Sequence, residues 1–179
     1  DPIKNLQNTH RLDNSNSIRV NTTFTYNIDD NFTLKTTNGY NSNNSGEELF
    51  YGLETQQGSR SDNGINGRLN DIKRTTFSSS NTLAFKKNFR GTRVNALVGM
   101  EYVKNTFFSS RLWNKNLPTD KFGVSNLDIA TRPTISLTDE SQNRLQSYFG
   151  RVNLNLKNKY LFTATFRADG SSKFQDANK

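Results

Sequence analysis

Ile18-Arg19-Val20-Asn21-Thr22-Thr23-Phe24-Thr25-Tyr26-Asn27 decides the fold. Its even positions are Ile18, Val20, Thr22, Phe24 and Tyr26, apolar but for Thr22, and none of its odd positions is apolar. Successive side chains of a strand point to opposite faces, so a period of two marks a sheet with one apolar and one wet face. Ile28-Asp29-Asp30-Asn31 supplies turn chemistry. A second run follows, with Phe32, Leu34 and Tyr40 on one face and Thr33, Lys35, Thr37 and Gly39 on the other. The two runs predict a hairpin with a short turn.

Working outward, the pattern recurs twice. Residues 75–86 alternate through Phe77, Leu83 and Phe85, and after a turn at 87–91 the chain returns with Val94, Ala96, Val98, Met100 and Tyr102. The third hairpin carries Tyr148, Val152, Leu154 and Leu156, turns at Lys157-Asn158-Lys159, and returns with Tyr160, Phe162, Ala164, Phe166 and Ala168. The expected fold is all-β: six antiparallel strands in three hairpins, with short turns near Asp29, Asn88 and Asn158. Even positions form the apolar face of every strand but the third, where odd positions do.

Length places that sheet in a membrane. Each run covers about 11 residues, against about 5–6 in soluble proteins. At ~3.3 Å per residue and a tilt of ~40°, it covers ~28 Å of height, close to the ~25 Å apolar band of an outer-membrane barrel. Connections alternate too: the turns within hairpins are short, whereas the links at 41–73 and 104–143 are long and rich in Asn, Ser, Gly and Asp. Short periplasmic turns and long extracellular loops are the barrel pattern. Aromatics cluster near strand ends, at Tyr26, Phe32, Phe85 and Tyr160 and at Tyr40, Tyr102, Tyr148 and Phe166. They suit two interfacial girdles, or the ordinary enrichment of aromatics in strands. Six strands cannot close a barrel, since single-chain bacterial barrels start at about eight. The expectation is therefore an incomplete transmembrane β-barrel occupying 1–179, with 1–16 and 175–179 belonging to long loops.

Composition agrees. Only 31% of the 179 residues are hydrophobic, yet 11% are aromatic, with Phe at 13. A disordered chain would be poor in both. The absence of cysteine excludes a disulfide framework and a thiolate metal site. The net charge is +8, but its basic residues are scattered and group only in pairs such as Lys73-Arg74 and Lys86-Lys87. A nucleic-acid partner is not expected. No stretch approaches the ~20 apolar residues of a membrane-spanning helix, which says nothing against strands.

The third hairpin carries a resemblance. Asn143-Arg144-Leu145-Gln146-Ser147-Tyr148-Phe149-Gly150-Arg151-Val152-Asn153 is followed by Lys159-Tyr160-Leu161 and by Arg167-Ala168-Asp169-Gly170-Ser171-Ser172-Lys173-Phe174. These three motifs, in order and spaced over 143–174, resemble the barrel region of SusC/RagA-like TonB-dependent outer-membrane transporters of Bacteroidetes. The remainder agrees in style only. The resemblance implies a bacterial outer-membrane location and a large barrel filled by an N-terminal plug. It also implies import of oligosaccharides or peptides under a SusD-like surface lipoprotein, with energy from the TonB complex. No residue of this chain matches a plug or a TonB-coupling segment.

Candidate residues follow. Arg151, Arg167 and Asp169 fall on the polar face by parity, which in a barrel is the lumen. There they can form a structural ion pair, meet a plug carboxylate or contact substrate. Asp169-Gly170-Ser171-Ser172 reads as turn chemistry or as a ligand contact. Phe50-Tyr51 and Trp113 fall in the long links, where aromatic faces can stack on sugar rings, pack within the loop or meet a lid protein. Catalysis is not expected. The lone His10 has no nucleophile beside it, and Glu47-Glu48 and Asp139-Glu140 are adjacent residues without the fixed separation that glycosidic chemistry needs. No cofactor fingerprint is present, and the Asp and Asn oxygens of 62–70 match no calcium-loop spacing. A soluble β-rich carbohydrate-binding or adhesion module is the alternative reading.

Overall fold

In the computed structural model, residues 2–131 and 135–173 are described; Phe174, which closes the last motif, and 175–179 lie outside them. A short helix, α1 (Pro2–Gln7), precedes β1 (Thr9–Asn27), β2 (Phe32–Tyr51), β3 (Asn66–Phe89), β4 (Thr92–Asn114), β5 (Ile135–Leu156) and β6 (Tyr160–Ser171), with a 3₁₀ segment at Gly123–Ile129. The six strands form one sheet in consecutive order, β1-β2-β3-β4-β5-β6. Each expected strand lies inside an observed one, and the polar and apolar runs fall as the alternation requires.

The strands are longer than the alternation indicates: β1 to β5 have 19, 20, 24, 23 and 22 residues. The long links shrink to 52–65 and the stretch after Asn114. Likewise 9–16 is strand and Pro2–Gln7 is helix where loop was expected. The cause is plain in Asn41-Ser42-Asn43-Asn44-Ser45: both faces are polar there, so no hydrophobic period exists, yet the backbone ladder continues regardless of side chain. At ~3.3 Å per residue these strands are roughly twice as long as the apolar band requires.

The second turn also differs. β3 continues through Asn88 to Phe89, and the turn is Arg90-Gly91, with φ of 37° and 85°. Left-handed φ at both central residues gives the turn twist that a two-residue hairpin needs. In the third turn, Lys157 and Asn158 have φ of 52° and 56°, and the Lys159 N–H donates to the Leu156 carbonyl at 2.9 Å. In the first, the Asp29 carboxylate accepts the N–H groups of Asn31 and Phe32, both at 2.7 Å.

The chain divides into two compact units. The first comprises Asp1–Ser17, Ser42–Arg74 and Phe107–Ser141; the second comprises Ile18–Asn41, Thr75–Thr106 and Gln142–Lys179. The second unit holds the alternating stretches and the short turns. Its β5–β6 register pairs Tyr148 with Ala168, Val152 with Ala164, Leu154 with Phe162 and Leu156 with Tyr160 on one face. The other face pairs Ser147 with Asp169, Phe149 with Arg167, Arg151 with Thr165 and Asn153 with Thr163. On the apolar face Phe32 meets Phe85 at 4.8 Å between centroids, and Phe77 meets Tyr102 at 6.4 Å. Thr36 and Asn81 share that face by parity, and the Thr36 hydroxyl donates to Asn81 Oδ1 at 2.9 Å. Large apolar side chains stay open: Ile18, Phe24, Phe162 and Phe166 are each more than half exposed. No helix among the described residues is long and apolar enough to cross a membrane.

The first unit has a small core of its own, Phe50, Ile65, Leu117 and Leu127, with Leu69, Leu112, Val124 and Ile129 packed against it. Gly67 lies beneath it, and a Cβ there would stand 2.5 Å from Leu127 Cδ2 and 3.2 Å from Phe50 Cδ2. Gly67→Ala is therefore expected to cost about 1–3 kcal/mol by overpacking. Limited proteolysis of the full-length protein should show faster cleavage in 52–65 and 115–131, and equal cleavage would show that the core tolerates the methyl group.

Candidate functional site

On the polar face of the second unit, Arg167 gathers groups from three strands. Its Nε donates to Asp169 Oδ1 at 2.9 Å, and its Nη2 donates to Glu101 Oε2 at 3.0 Å and to Ser147 Oγ at 3.1 Å. Glu101 stands on β4 and Ser147 on β5, so the guanidinium reaches across a whole strand. Ser147 is fully buried and small, which leaves room for that reach. The Arg167 Cζ also lies 5.7 Å from the Phe149 ring centroid. Phe149 in turn covers Gly99, where a Cβ would stand 2.5 Å from Phe149 Cζ. Glycine on β4 thus seats the ring, and the ring seats the guanidinium.

This arrangement gives the residues of the third-hairpin motifs physical roles. Ser147, Phe149, Arg167 and Asp169 form one packed constellation, and the Asp169–Arg167 pair expected from parity is present. Glu101, in Met100-Glu101-Tyr102, was not legible as a partner, because it lies 66 positions away. Arg151 stays apart: it is exposed and stands opposite Thr165, with no ion pair among the described residues. Within the motifs, the Ser172 N–H donates to the Arg144 carbonyl at 3.0 Å, and the Ser172 hydroxyl accepts from the Arg144 N–H at 2.9 Å. The serine satisfies loop amides as turn chemistry requires.

The first unit holds a different kind of site. A cavity of about 520 Å³ opens between Gln7–His10, Phe50 and Gly52, and Asp120–Ser125. The Gly52 N–H donates to the Asn8 carbonyl at 2.9 Å, fixing one wall. Thr55, almost fully buried, organises the adjoining turn, its Oγ donating to the Gly52 carbonyl and accepting from the Gly58 N–H, both at 2.8 Å. Phe122, on the rim, is 55% exposed. Sequence reading passed over Phe122, and its only signal was an aromatic residue inside an otherwise polar link.

The aromatic candidates are placed differently from expectation. Phe50 and Tyr51 end β2, and Trp113 lies in β4. Phe50 is 6% exposed and packs in the small core. Trp113 donates its indole N–H to Asn66 Oδ1 at 3.3 Å, and Lys115 Nζ lies 4.0 Å from the ring centroid, so one face is covered by a cation. The paired carboxylates are in strands as well. Glu47 sits in β2, 2.7 Å from Arg68 and 3.4 Å from Arg11, and Asp139-Glu140 sits in β5. Neighbours in a strand point to opposite faces, so neither pair converges. Of 62–70, residues from Asn66 onward are strand, and the Asn66 amide is engaged by Trp113 and by the Gly64 carbonyl. Among the described residues no group of three His, Asp or Glu converges as metal ligands would.

TonB-dependent receptor P3 of Formosa agariphila is 29% identical over 170 residues, which is 92% of this chain and 16% of that protein. TonB-dependent receptor SusC of Bacteroides thetaiotaomicron is 56% identical over 39 residues, 22% of this chain. The chain belongs to the SusC/RagA-like TonB-dependent receptors. It spans about one-sixth of the length of P3, as a segment of the family's outer-membrane β-barrel. The structure of the RagAB peptide transporter superposes with a TM-score of 0.84 over 96% of this chain and 19% of that one, at 18% identity. That likeness speaks to fold. No family model matches the chain.

Arg167→Gln in the full-length protein is expected to lower the temperature at which the folded form loses its compact electrophoretic mobility, because Glu101 and Asp169 then face each other without a cation. Adding Glu101→Gln and Asp169→Asn should recover most of the loss. A triple variant no better than Arg167→Gln would show that packing on Phe149, and not charge, is what the arginine supplies.

Proposed function

We propose that this chain is a wall segment of an outer-membrane TonB-dependent importer, one partial barrel domain over 1–179, and that its apolar face meets lipid and its polar face the lumen. The observation that carries this reading is the single consecutive sheet with one open apolar face and one polar face tied by Arg167. An open apolar face of this size in water would aggregate, whereas lipid covers it at no cost. In lipid the sheet must continue on both edges, since an unpaired edge strand in hydrocarbon leaves a row of unsatisfied amides. The rest of the barrel and the plug are therefore its partners, and TonB coupling belongs to regions outside these residues.

The substrates this reading favours are oligosaccharides or peptides. A peptide is what the RagAB transporter carries, by the description of its structure. The first unit supplies the surface for capture: an open cavity lined by the amides of Gln7 and Asn8, the His10 imidazole, the Asp120 carboxylate, Lys121 and Phe122. Tyr51 and Trp113, both half-buried, remain candidate contacts outside the cavity, and Phe50 lines its wall. A SusD-like surface lipoprotein would cover this end. The polar-face group of Arg167 and Asp169 acts structurally, because the guanidinium is already held by Asp169, Glu101 and Ser147. The chemistry is transport without bond making.

The full-length receptor, expressed in a strain lacking its own copy, should restore uptake of a labelled oligosaccharide or peptide pool, and uptake should stop when the proton gradient is collapsed. Phe122→Ala should weaken capture by roughly three- to tenfold, the loss of one aromatic contact, with barrel assembly unchanged. A receptor that is monodisperse and folded without detergent would sink the membrane reading. Energised uptake with Phe122→Ala unchanged would remove only the capture site.

A further inference from the structure

The short turns carry charge that the ion pairs and the Arg167 group leave unused. In the first unit, three basic side chains pair with acids: Lys4 with Glu54, Arg11 with Asp13, and Arg68 with Glu47. In the second unit, Lys87, Arg90, Lys157 and Lys159 are all exposed, and none forms an ion pair among the described residues. They come from segments about 70 residues apart in sequence, yet the Lys157 N–H donates to the Gly91 carbonyl at 2.8 Å, which places the two turns side by side. Aromatic residues stand among the cations. Lys87 Nζ lies 5.3 Å from the Phe89 ring centroid, and Lys159 Nζ lies 5.6 Å from that of Tyr160. Both rings are about half exposed, and by parity both stand on the apolar face.

Two of the cations occupy backbone positions that ordinary residues avoid. Arg90 and Lys157 have φ of 37° and 52°. Glycine or asparagine is the usual occupant of such positions in a hairpin turn. A cation is therefore placed there against local preference. The neighbouring turn brings two carboxylates, Asp29, whose Oδ1 accepts two backbone N–H groups, and Asp30, so the four cations still outnumber the acids.

We infer that these two turns form a binding surface for anionic phospholipid head groups, the phosphates meeting Lys87, Arg90, Lys157 and Lys159 while Phe89 and Tyr160 sit at the level of the ester groups. The inference rests on the barrel reading above, which puts the turns at a membrane face. Phosphate attracts basic residues close to a membrane surface, and aromatic rings anchor at the same depth. Nucleic acid bases could stack on exposed rings, but on the barrel reading both rings stand on the lipid-facing side, so a lipid fits the whole surface and nucleic acid only its cations.

The test uses the full-length receptor purified in a mild nonionic detergent. Fluorescent cardiolipin and fluorescent phosphatidylethanolamine are titrated at low salt against the wild type, Arg90→Asn/Lys157→Asn, and Arg60→Gln/Lys73→Gln as a charge-matched control in the first unit. Asparagine suits both left-handed positions, so the turn variant keeps its hairpins. Cardiolipin should bind the wild type at least tenfold more tightly than phosphatidylethanolamine. The turn variant should lose roughly tenfold or more of that affinity, and the control should lose none. Equal losses in the two variants, no loss in the turn variant, or competition by a single-stranded oligonucleotide as strong as that by unlabelled cardiolipin would each overturn the inference. Heat-modifiable mobility and recovery in the membrane fraction are measured on the same samples. If the wild type lacks them, the barrel reading itself fails; if it has them without lipid selectivity, only this inference does.

Discussion

A backbone amide in hydrocarbon has no water to bond, and every other feature of this chain follows from that constraint. Backbone polar groups must pair within the sheet, so the strands run consecutively and antiparallel, each beside its sequence neighbour. Pairing satisfies the backbone without reference to side chains. The two faces are then free to take opposite character, one turned to lipid and one to a wet interior. The stability such a wall has comes from cross-strand pairs, such as Phe32 on Phe85 and Phe77 on Tyr102, and not from a buried core.

The same independence of backbone from side chain explains what the sequence made legible. Where one face is apolar, as in 18–26 and 145–168, the period of two shows the strand and its orientation. In 41–48 both faces are polar, and in 66–74 only Leu69 and Ile72 break the polar run; the ladder continues, and no period of two announces it. Phe50, Tyr51 and Trp113 were assigned to loops for that reason. Trp113 ends a strand, tethered by Asn66 and covered by Lys115. The third-hairpin motifs were legible as a family mark, whereas their physical content was not. Glycine at 99 seats Phe149, Phe149 seats Arg167, and Glu101 gives the guanidinium a second carboxylate, through contacts between segments far apart in the chain. The basic turns were hidden likewise: pairs such as Lys86-Lys87 look scattered until a hydrogen bond from Lys157 to Gly91 joins two hairpins.

The two compact units divide the work by composition. The hairpin unit has little that is buried and is suited to a medium that covers it. The loop-bearing unit carries its own small core around Phe50, Ile65, Leu117 and Leu127, as a segment in water must. Its ion pairs and its cavity lie in this unit, whereas the long alternating apolar stretches lie in the other.

The central claim is that side-chain parity divides lipid from lumen. Spin labels attached one at a time at residues 160–168 of the full-length receptor in lipid bilayers test it most directly, through collision with oxygen, which concentrates in lipid, and with a water-soluble nickel chelate. Labels at 160, 162, 164, 166 and 168 should collide preferentially with oxygen, and labels at 161, 163, 165 and 167 with the chelate. Equal accessibility at odd and even positions, or access to the chelate at every position, would contradict the account.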